Sequence, residues 1–319
     1  MYAIELSNLT KVYRKTRRRL FRSVGATALT AVDRISLRIA PGEFIGLLGP
    51  NGAGKSTTIK MMTGILHPTS GSVLVHGLNP HRRRVEVARH IGAVFGQRTQ
   101  LWWDLPLRDS FAILQAMYRV PPHDYRLRLD ELEAALQLSS FWETPVRQLS
   151  LGQRMRGELV GALLHRPPVL FLDEPTIGLD VTAKMSVRAF LAALNKTHGT
   201  TVILTTHDMS DVEQLCPRIV VIDHGQTIFD GGAGNLAMRV GLPSMLVASY
   251  RERSGTMREG DWTVDDAGHT VKVSFDRGRT SPVEVLSSLQ EIGSLEDFSM
   301  TEPGLDAVIT RLYAGDART

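Results

Sequence analysis

The sequence predicts an α/β protein with a mostly parallel core sheet, preceded by an antiparallel β subdomain, interrupted by a helical subdomain and followed by a small α+β domain. Three observations predict it. Residues 43–66 read as strand, glycine-rich turn and helix (EFIGLLG, PNGAGKS, TTIKMMTGIL). Residues 169–172 and 201–204 are continuous apolar runs, which suit strands buried on both faces of a parallel sheet. After Gly231 the pattern changes, and no further motif of the first kind occurs.

At the start of the chain, residues 3–6 and 31–39 alternate apolar and polar side chains, the period of half-buried strands. Between them lies a basic run at 14–22, which opens on Arg14, holds Arg17, Arg18 and Arg19, and ends on Arg22. Its expected form is a solvated loop; the alternative is a surface facing anionic lipid headgroups. A strand is expected at 91–95, and helices at 109–118, 126–138 and 184–194, with the helical subdomain inserted over residues 97–165. The tail predicts a strand at 245–249, a hairpin through Asp265-Asp266-Ala267-Gly268, a helix at 282–292 and a last helix after Pro303-Gly304. The domains are accordingly set at 1–235 and 236–319.

Composition agrees with a globular chain. Its 319 residues are 43% hydrophobic and 22% charged, enough to bury a core without disulfides or structural metals. A single cysteine, Cys216, allows no intrachain disulfide and is expected to be buried and inert. The opening MYAIELSNLT has no basic stretch followed by an apolar one, so no secretory signal is expected. No run of eighteen apolar residues occurs, so no membrane-spanning helix is expected. A net charge of +4 permits contact with phosphates or an anionic membrane face and singles out neither.

The segment Gly49-Pro50-Asn51-Gly52-Ala53-Gly54-Lys55-Ser56-Thr57 satisfies G-x-x-x-x-G-K-[ST] between a strand and a helix. Gly52 and Gly54 are expected to let backbone N–H groups approach phosphate oxygens with no Cβ in the way. The helix that follows offers unpaired N–H groups and the positive end of its dipole. Lys55 would neutralise the β- and γ-phosphates, and the Ser56 hydroxyl would be a Mg²⁺ ligand. The bland alternative, a glycine turn that merely starts a helix, does not account for the lysine and hydroxyl together. Four apolar residues then place Asp173 at the end of a buried strand, where it would hold Mg²⁺. Glu174, the next residue, would polarise the attacking water as general base.

With these motifs in view, the sequence resembles the ATP-binding cassette (ABC) family, the nucleotide-binding subunits of ABC transporters. Leu149-Ser150-Leu151-Gly152-Gln153 resembles the signature, normally LSGGQ; Gln97 matches the Q-loop glutamine; Gly178-Leu179-Asp180 matches the D-loop; His207 matches the switch histidine. Tyr13 occupies the place of the aromatic that stacks on adenine, although a strand aromatic covering the core remains open. The resemblance spans 1–235 and implies a P-loop NTPase core of the ABC type that binds ATP with Mg²⁺. It implies catalytic roles for Glu174, His207, Gln97 and Asp180, metal contacts from Ser56, Gln97 and Asp173, and nucleotide contacts from Tyr13, residues 49–57, Ser150, Gly152 and Gln153. Ser150 and Gly152 open a helix whose first N–H groups form an anion site remote from the chain's own phosphate loop. By resemblance that site closes over the γ-phosphate held by a second ATPase subunit, in a homodimer by expectation. Leu151 stands where the LSGGQ signature has the first of its two glycines, which puts the close packing of that turn in question.

The resemblance also implies separate transmembrane permease subunits, a peripheral position on the cytoplasmic face of the inner membrane, and no nucleic-acid partner. Trp102 and Trp103 are adjacent, so a partner surface and packing within the helical insertion both remain open. In the family this region receives the permease's coupling helix. The phrases QLWWDLP, LSLGQRMR and EPTIGLDV look like the ABC-2-type drug-exporter and viologen-exporter-like branch, which implies export and a regulatory or dimerisation role for 236–319. The alternative is a soluble ABC ATPase acting on DNA or ribosomes. Those usually carry paired cassettes, a long coiled coil or zinc modules, and this sequence carries none.

Overall fold

The computed structural model describes residues 1–19, 22–96, 98–257 and 260–313. The chain forms two compact units, Met1–Asp230 and Gly231–Thr319. In the first unit the elements run β1 (Ile4–Arg19), β2 (Arg22–Ile39), β3 (Phe44–Leu48), α1 (Lys55–Met62), β4 (Ser70–Val75), α2 (Arg84–His90) and β5 (Ile91–Phe95). The inserted helices follow as α3 (Leu107–Tyr118), α4 (Pro122–Leu136) and α5 (Leu151–Leu163). The core then resumes with β6 (Val169–Asp173), α6 (Val181–His198), β7 (Thr201–Thr205), α7 (Met209–Leu215), β8 (Arg218–Asp223) and β9 (Gln226–Gly231).

Among the described residues, the central sheet has the order β5-β6-β7-β3-β8-β9. β3 pairs in parallel with β7 and β8, and β6 with β5 and β7. Every residue of β3 and β7 is buried, which is why these strands are apolar without alternation. A second sheet, β2-β1-β4, is antiparallel and shares one core with it: Ile4, Leu6 and Val73 pack with Ile59, Phe171 and Ile203.

One expectation is corrected. The basic run at 14–22 is not a loop: β1 and β2 continue as an antiparallel ribbon that pairs Arg14 with Ala28 and Arg19 with Arg22. Leu20 and Phe21 lie outside the described residues. The backbone ladder needs no side-chain period, and four register shifts along β1–β2 break the alternation by which strands are recognised in a sequence. α4 also begins earlier than residue 126, because Pro122 at its first turn pre-sets the helical φ.

The second unit contains α8 (Ala233–Val240), β10 (Ser244–Arg253), β11 (Trp262–Asp266), β12 (Thr270–Phe275), α9 (Pro282–Gln290), β13 (Gly293–Thr301) and α10 (Leu305–Tyr313). The sequence boundary at 235 falls inside α8. Its strands form an antiparallel sheet, β11-β12-β10-β13, with α9 packed on one face. Leu246, Ala248, Tyr250, Val271, Val273 and Phe275 meet Val285 and Leu289 there. Among the described residues no helix is long and apolar enough to cross a membrane. Cys216 is buried, and burial pushes its thiol pKa up, away from reactive thiolate.

Candidate active site

β3 ends at Leu48, and residues 49–54 turn the chain into α1. Two glycines let this loop nest against its neighbours. A Cβ on Gly49 (φ +153°) would stand 2.2 Å from the Ile222 carbonyl oxygen, and one on Gly54 (φ +110°) 2.4 Å from that of Ala31. Gly54 therefore clears a protein carbonyl. Gly52 has open space around it, as a cradle facing a ligand requires. Pro50, Asn51 and Gly52 are exposed, Ala53 and Gly54 buried, and Thr57 half-buried at the start of α1. No side chain caps α1 and no acidic residue sits in its first turn, so its N-terminal dipole is left for an anion.

Lys55 folds back on the loop: Nζ donates to the carbonyls of Gly49 (2.5 Å) and Pro50 (3.1 Å). Burial lowers its pKa, while Glu174 and Asp173 act in the opposite direction. Asp173 closes β6 opposite Phe95 of β5 and Thr205 of β7. Its Oδ1 accepts from Thr205 Oγ1 at 2.5 Å and lies 3.5 Å from Ser56 Oγ. Glu174 leaves the strand in a left-handed conformation (φ +55°), its N–H donating to the Thr205 carbonyl at 2.9 Å. A β-strand residue followed by this conformation turns sharply, and backbone strain of this kind is concentrated at functional sites. Glu174 Oε1 lies 3.4 Å from Nδ1 of His207, whose side chain is 68% exposed.

Asn51, Ser56, Lys60, Asp173, Glu174 and His207 line one cleft of about 700 Å³. Behind its floor lies a network that sequence reasoning missed. The wholly buried Asp211 accepts from Thr176 Oγ1 (2.5 Å), Thr206 Oγ1 (3.1 Å) and Arg188 Nε (2.5 Å). It thereby ties the loop after Glu174 to the loop carrying His207. Beside it, burial works against the charge of Asp208, but hydrogen bonds from Lys184 and Ser210 outweigh it and bring its pKa down to about 2. Hydroxyls flanking apolar strands (Thr176, Thr205, Thr206) were the available signal.

The remaining sequence candidates stand elsewhere. Ser150, Gly152 and Gln153 do not line the cleft. Ser150 Oγ accepts from the Gln153 N–H (3.2 Å) and Gln153 Oε1 from the Ser150 N–H (2.9 Å), a capping box that starts α5. A Cβ on Gly152 would lie 3.2 Å from Ala183 Cβ, and one on Gly178 2.8 Å from Leu151 Cδ2. Leu151, in place of a glycine, thus reaches Gly178. Asp180 caps α6 by accepting from the Ala183 N–H at 2.8 Å, and it lies outside the cleft lining. Tyr13 is 41% exposed on β1, with Lys11 Nζ 5.4 Å from its ring centre, and does not line the cleft either. Gln97 lies outside the described residues. Trp103 is 49% exposed with the Arg154 guanidinium 5.9 Å from its ring centre, whereas Trp102 is half-buried. Trp103 is therefore not fully packed within the helical insertion.

Comparison with known proteins gives the following. Residues 32–177 match the family described as ABC transporter. The chain is 34% identical over 300 residues to the daunorubicin resistance ATP-binding protein DrrA3 of Streptomyces coeruleorubidus, covering 90% of this chain and 92% of that protein. It is 38% identical over 220 residues to the Nod factor export ATP-binding protein I of Paraburkholderia xenovorans (strain LB400), covering 69% of this chain and 68% of that protein. Among solved structures it resembles the ATP-binding cassette MJ0796, dimeric in a post-hydrolysis state bound to ADP and Pi, with a TM-score of 0.62 and 28% identity over 72% of this chain and 98% of that one.

Proposed function

The chain belongs to the ABC transporter family as an ATP-hydrolysing, ATP-binding subunit, and from that premise we propose that it works through two shared half-sites. Each ATP is held by the phosphate loop of one protomer and capped by the helix start at 150–152 of its neighbour. One observation carries this reading. The cleft collects Ser56, Asp173, Glu174 and His207 on one face, while the capped start of α5 lies outside it with Ser150 exposed. An anion site built from α5 N–H groups therefore needs a phosphate from another chain.

In this scheme Lys55 exchanges the carbonyls of Gly49 and Pro50 for phosphate oxygens. Glu174 orients a water and takes its proton as the new P–O bond forms and the bond to the ADP oxygen breaks. His207, next to Glu174, hydrogen-bonds the γ-phosphate and registers its departure. The oxygens of Ser56 and Asp173, 3.5 Å apart, are hard donors that fit Mg²⁺. Among the described residues no group of three or more His, Cys, Asp or Glu could hold a metal, so phosphate and water would complete its shell. When bound, Mg²⁺ neutralises charge on the phosphates. Gln97, which follows β5 in the sequence, and Asp180 at the cap of α6 would complete the site, and Tyr13 would stack on the adenine.

The subunit works with membrane permeases, and its exposed Trp103 would meet their cytoplasmic face. Export is the direction favoured by the likeness to the Nod factor export ATP-binding protein. The second unit, 236–319 in the sequence reading, would regulate or reinforce the dimer; the likeness to DrrA3 extends into it. The test is the ATP-loaded Glu174→Gln protein followed by light scattering. A closed dimer is expected. A monomer, or a dimer in which nucleotide crosslinks to one protomer's residues only, overturns the reading.

A further inference from the structure

α5 buries a carboxylate that the chemistry above does not use. Glu158 is 4% exposed, and burial pushes its pKa up. Its partners lie on the segment just after Gln97. Thr99 Oγ1 donates to Oε1, and the Gln100 N–H donates to Oε2 at 3.2 Å. Gln100 Nε2 donates to the Glu158 backbone carbonyl at 2.9 Å. Side chain and backbone of one helical residue thus hold two consecutive residues of a loop.

The helix surface on either side is bare to admit that loop. A Cβ on Gly157 would lie 2.8 Å from Leu107 Cδ2 and 3.2 Å from Leu101 Cδ1. A Cβ on Gly161 would lie 3.0 Å from Leu114 Cδ1 and 3.3 Å from Gln100 Nε2. Leu101 is buried against this strip. Farther along, the Trp102 N–H donates to Ser110 Oγ (3.2 Å), the Trp103 carbonyl accepts from the Arg147 N–H (3.0 Å), and the Trp103 ring meets Arg154 of α5. The segment from Thr99 to Trp103 is tied to α5 and to the residues just before it, and through Ser110 to α3 as well.

A buried carboxylate costs more to desolvate than an apolar side chain of the same size, so packing alone does not call for one. What it adds is direction. Apolar contacts tolerate sliding, whereas hydrogen bonds to charged oxygens hold one register. We propose that Glu158 is a positioning residue that locks residues 99–103 to α5, so that a load on Trp103 displaces the helix start at 150–153 as one body. This rests on the reading of Trp103 as a docking residue and of Ser150 as the cap on a neighbour's nucleotide.

The test uses the full chain and two readouts, hydrogen exchange and ATP-driven dimerisation in the Glu174→Gln background. Glu158→Ala is expected to speed amide exchange about tenfold or more both at 99–103 and at 150–154, as loss of hydrogen bonds to a charged group implies. Exchange in α1 should not change. Dimerisation should weaken about tenfold. Glu158→Gln, which keeps an acceptor for Gln100 and a partner for Thr99, should restore both. Thr99→Val leaves α5 untouched but removes the hydroxyl that bonds Glu158 and also accepts from the Leu101 N–H, so faster exchange at 150–154 is its deciding readout, and it keeps the test open if Glu158→Ala does not fold. Faster exchange at 99–103 with unchanged protection at 150–154 overturns the lock, and so does unchanged dimerisation in a protein whose Glu174→Gln parent dimerises. A parent that never dimerises sinks the half-site reading instead, and the exchange pattern still decides the lock.

Discussion

On the reading proposed above, the phosphate-loop cleft and the start of α5 both meet phosphate, yet they are assembled in opposite ways. The cleft is long-range. Ser56 reaches it from α1 and Asp173 from β6, where buried Thr205 of β7 bonds it from behind, so Ser56 and Asp173 meet across 117 positions of sequence. The α5 start is local: Ser150 and Gln153 satisfy each other within one turn. A local capping box is stable while exposed and needs nothing from the rest of the fold. The cleft depends on the sheet to hold charges that would otherwise repel or be hydrated. In the proposed half-site scheme, one protomer would keep the first half of a site assembled and the second half waiting.

The largest effect expected on this contrast comes from the cleft. Glu174→Gln should lower phosphate release by about 10² to 10⁴-fold, the range for a general base, with nucleotide still bound. An unaltered rate would remove the base assignment. Lys55→Ala should weaken nucleotide affinity of the single protomer about tenfold to a hundredfold, as lost charge-assisted bonds do, read by calorimetric titration. Ser150→Ala sharpens the comparison from the other side. Loss of the cap should cost about 1 kcal/mol in denaturant unfolding. It should also weaken ATP-driven dimerisation and leave the monomer's nucleotide affinity where it was. An equal fall in monomer affinity would place Ser150 in its own chain's cleft and break the contrast.

The smallest effect concerns the network behind the cleft. Asp208 has its folded pKa depressed to about 2 by Lys184 and Ser210, so its ion pair stabilises the fold above its ordinary pKa of 3.8. That contribution declines as pH falls below 3.8 and is lost as pH passes through about 2. Asp208→Asn should therefore flatten the fall in stability over this window, measured by denaturant titration at stepped pH. An unchanged slope would mean that Asp208 does not carry it.

Much of this molecule was legible in its residues. The strand, glycine turn and helix at 43–66, the apolar runs of β6 and β7, and β10, the β11–β12 hairpin, α9 and α10 of the tail follow from periodicity and turn chemistry, which are local, whereas α8 and β13 were not read. The β1–β2 ribbon was not legible. Its ladder is made by backbone groups, and bulges interrupt the side-chain alternation. The Asp211 network and the Glu158 lock were hidden for a different reason. Asp211 sits within helix α7 and Glu158 within α5, where an acidic residue ordinarily means a solvated face, and nothing local says that their surroundings are closed.

Sequence by itself determined the chemistry available: a glycine loop with Lys55 and Ser56, two carboxylates at a strand end, and a capped helix at Ser150. Those are statements about neighbours in the chain, and backbone propensity and side-chain type decide them. Tertiary structure alone decided which groups meet. It brought Ser56, Asp173, Glu174 and His207 to one cleft, left Ser150 outside it, and closed Glu158 over Thr99 and Gln100. Packing of strands and helices distant in the chain sets those distances, and no local pattern encodes them.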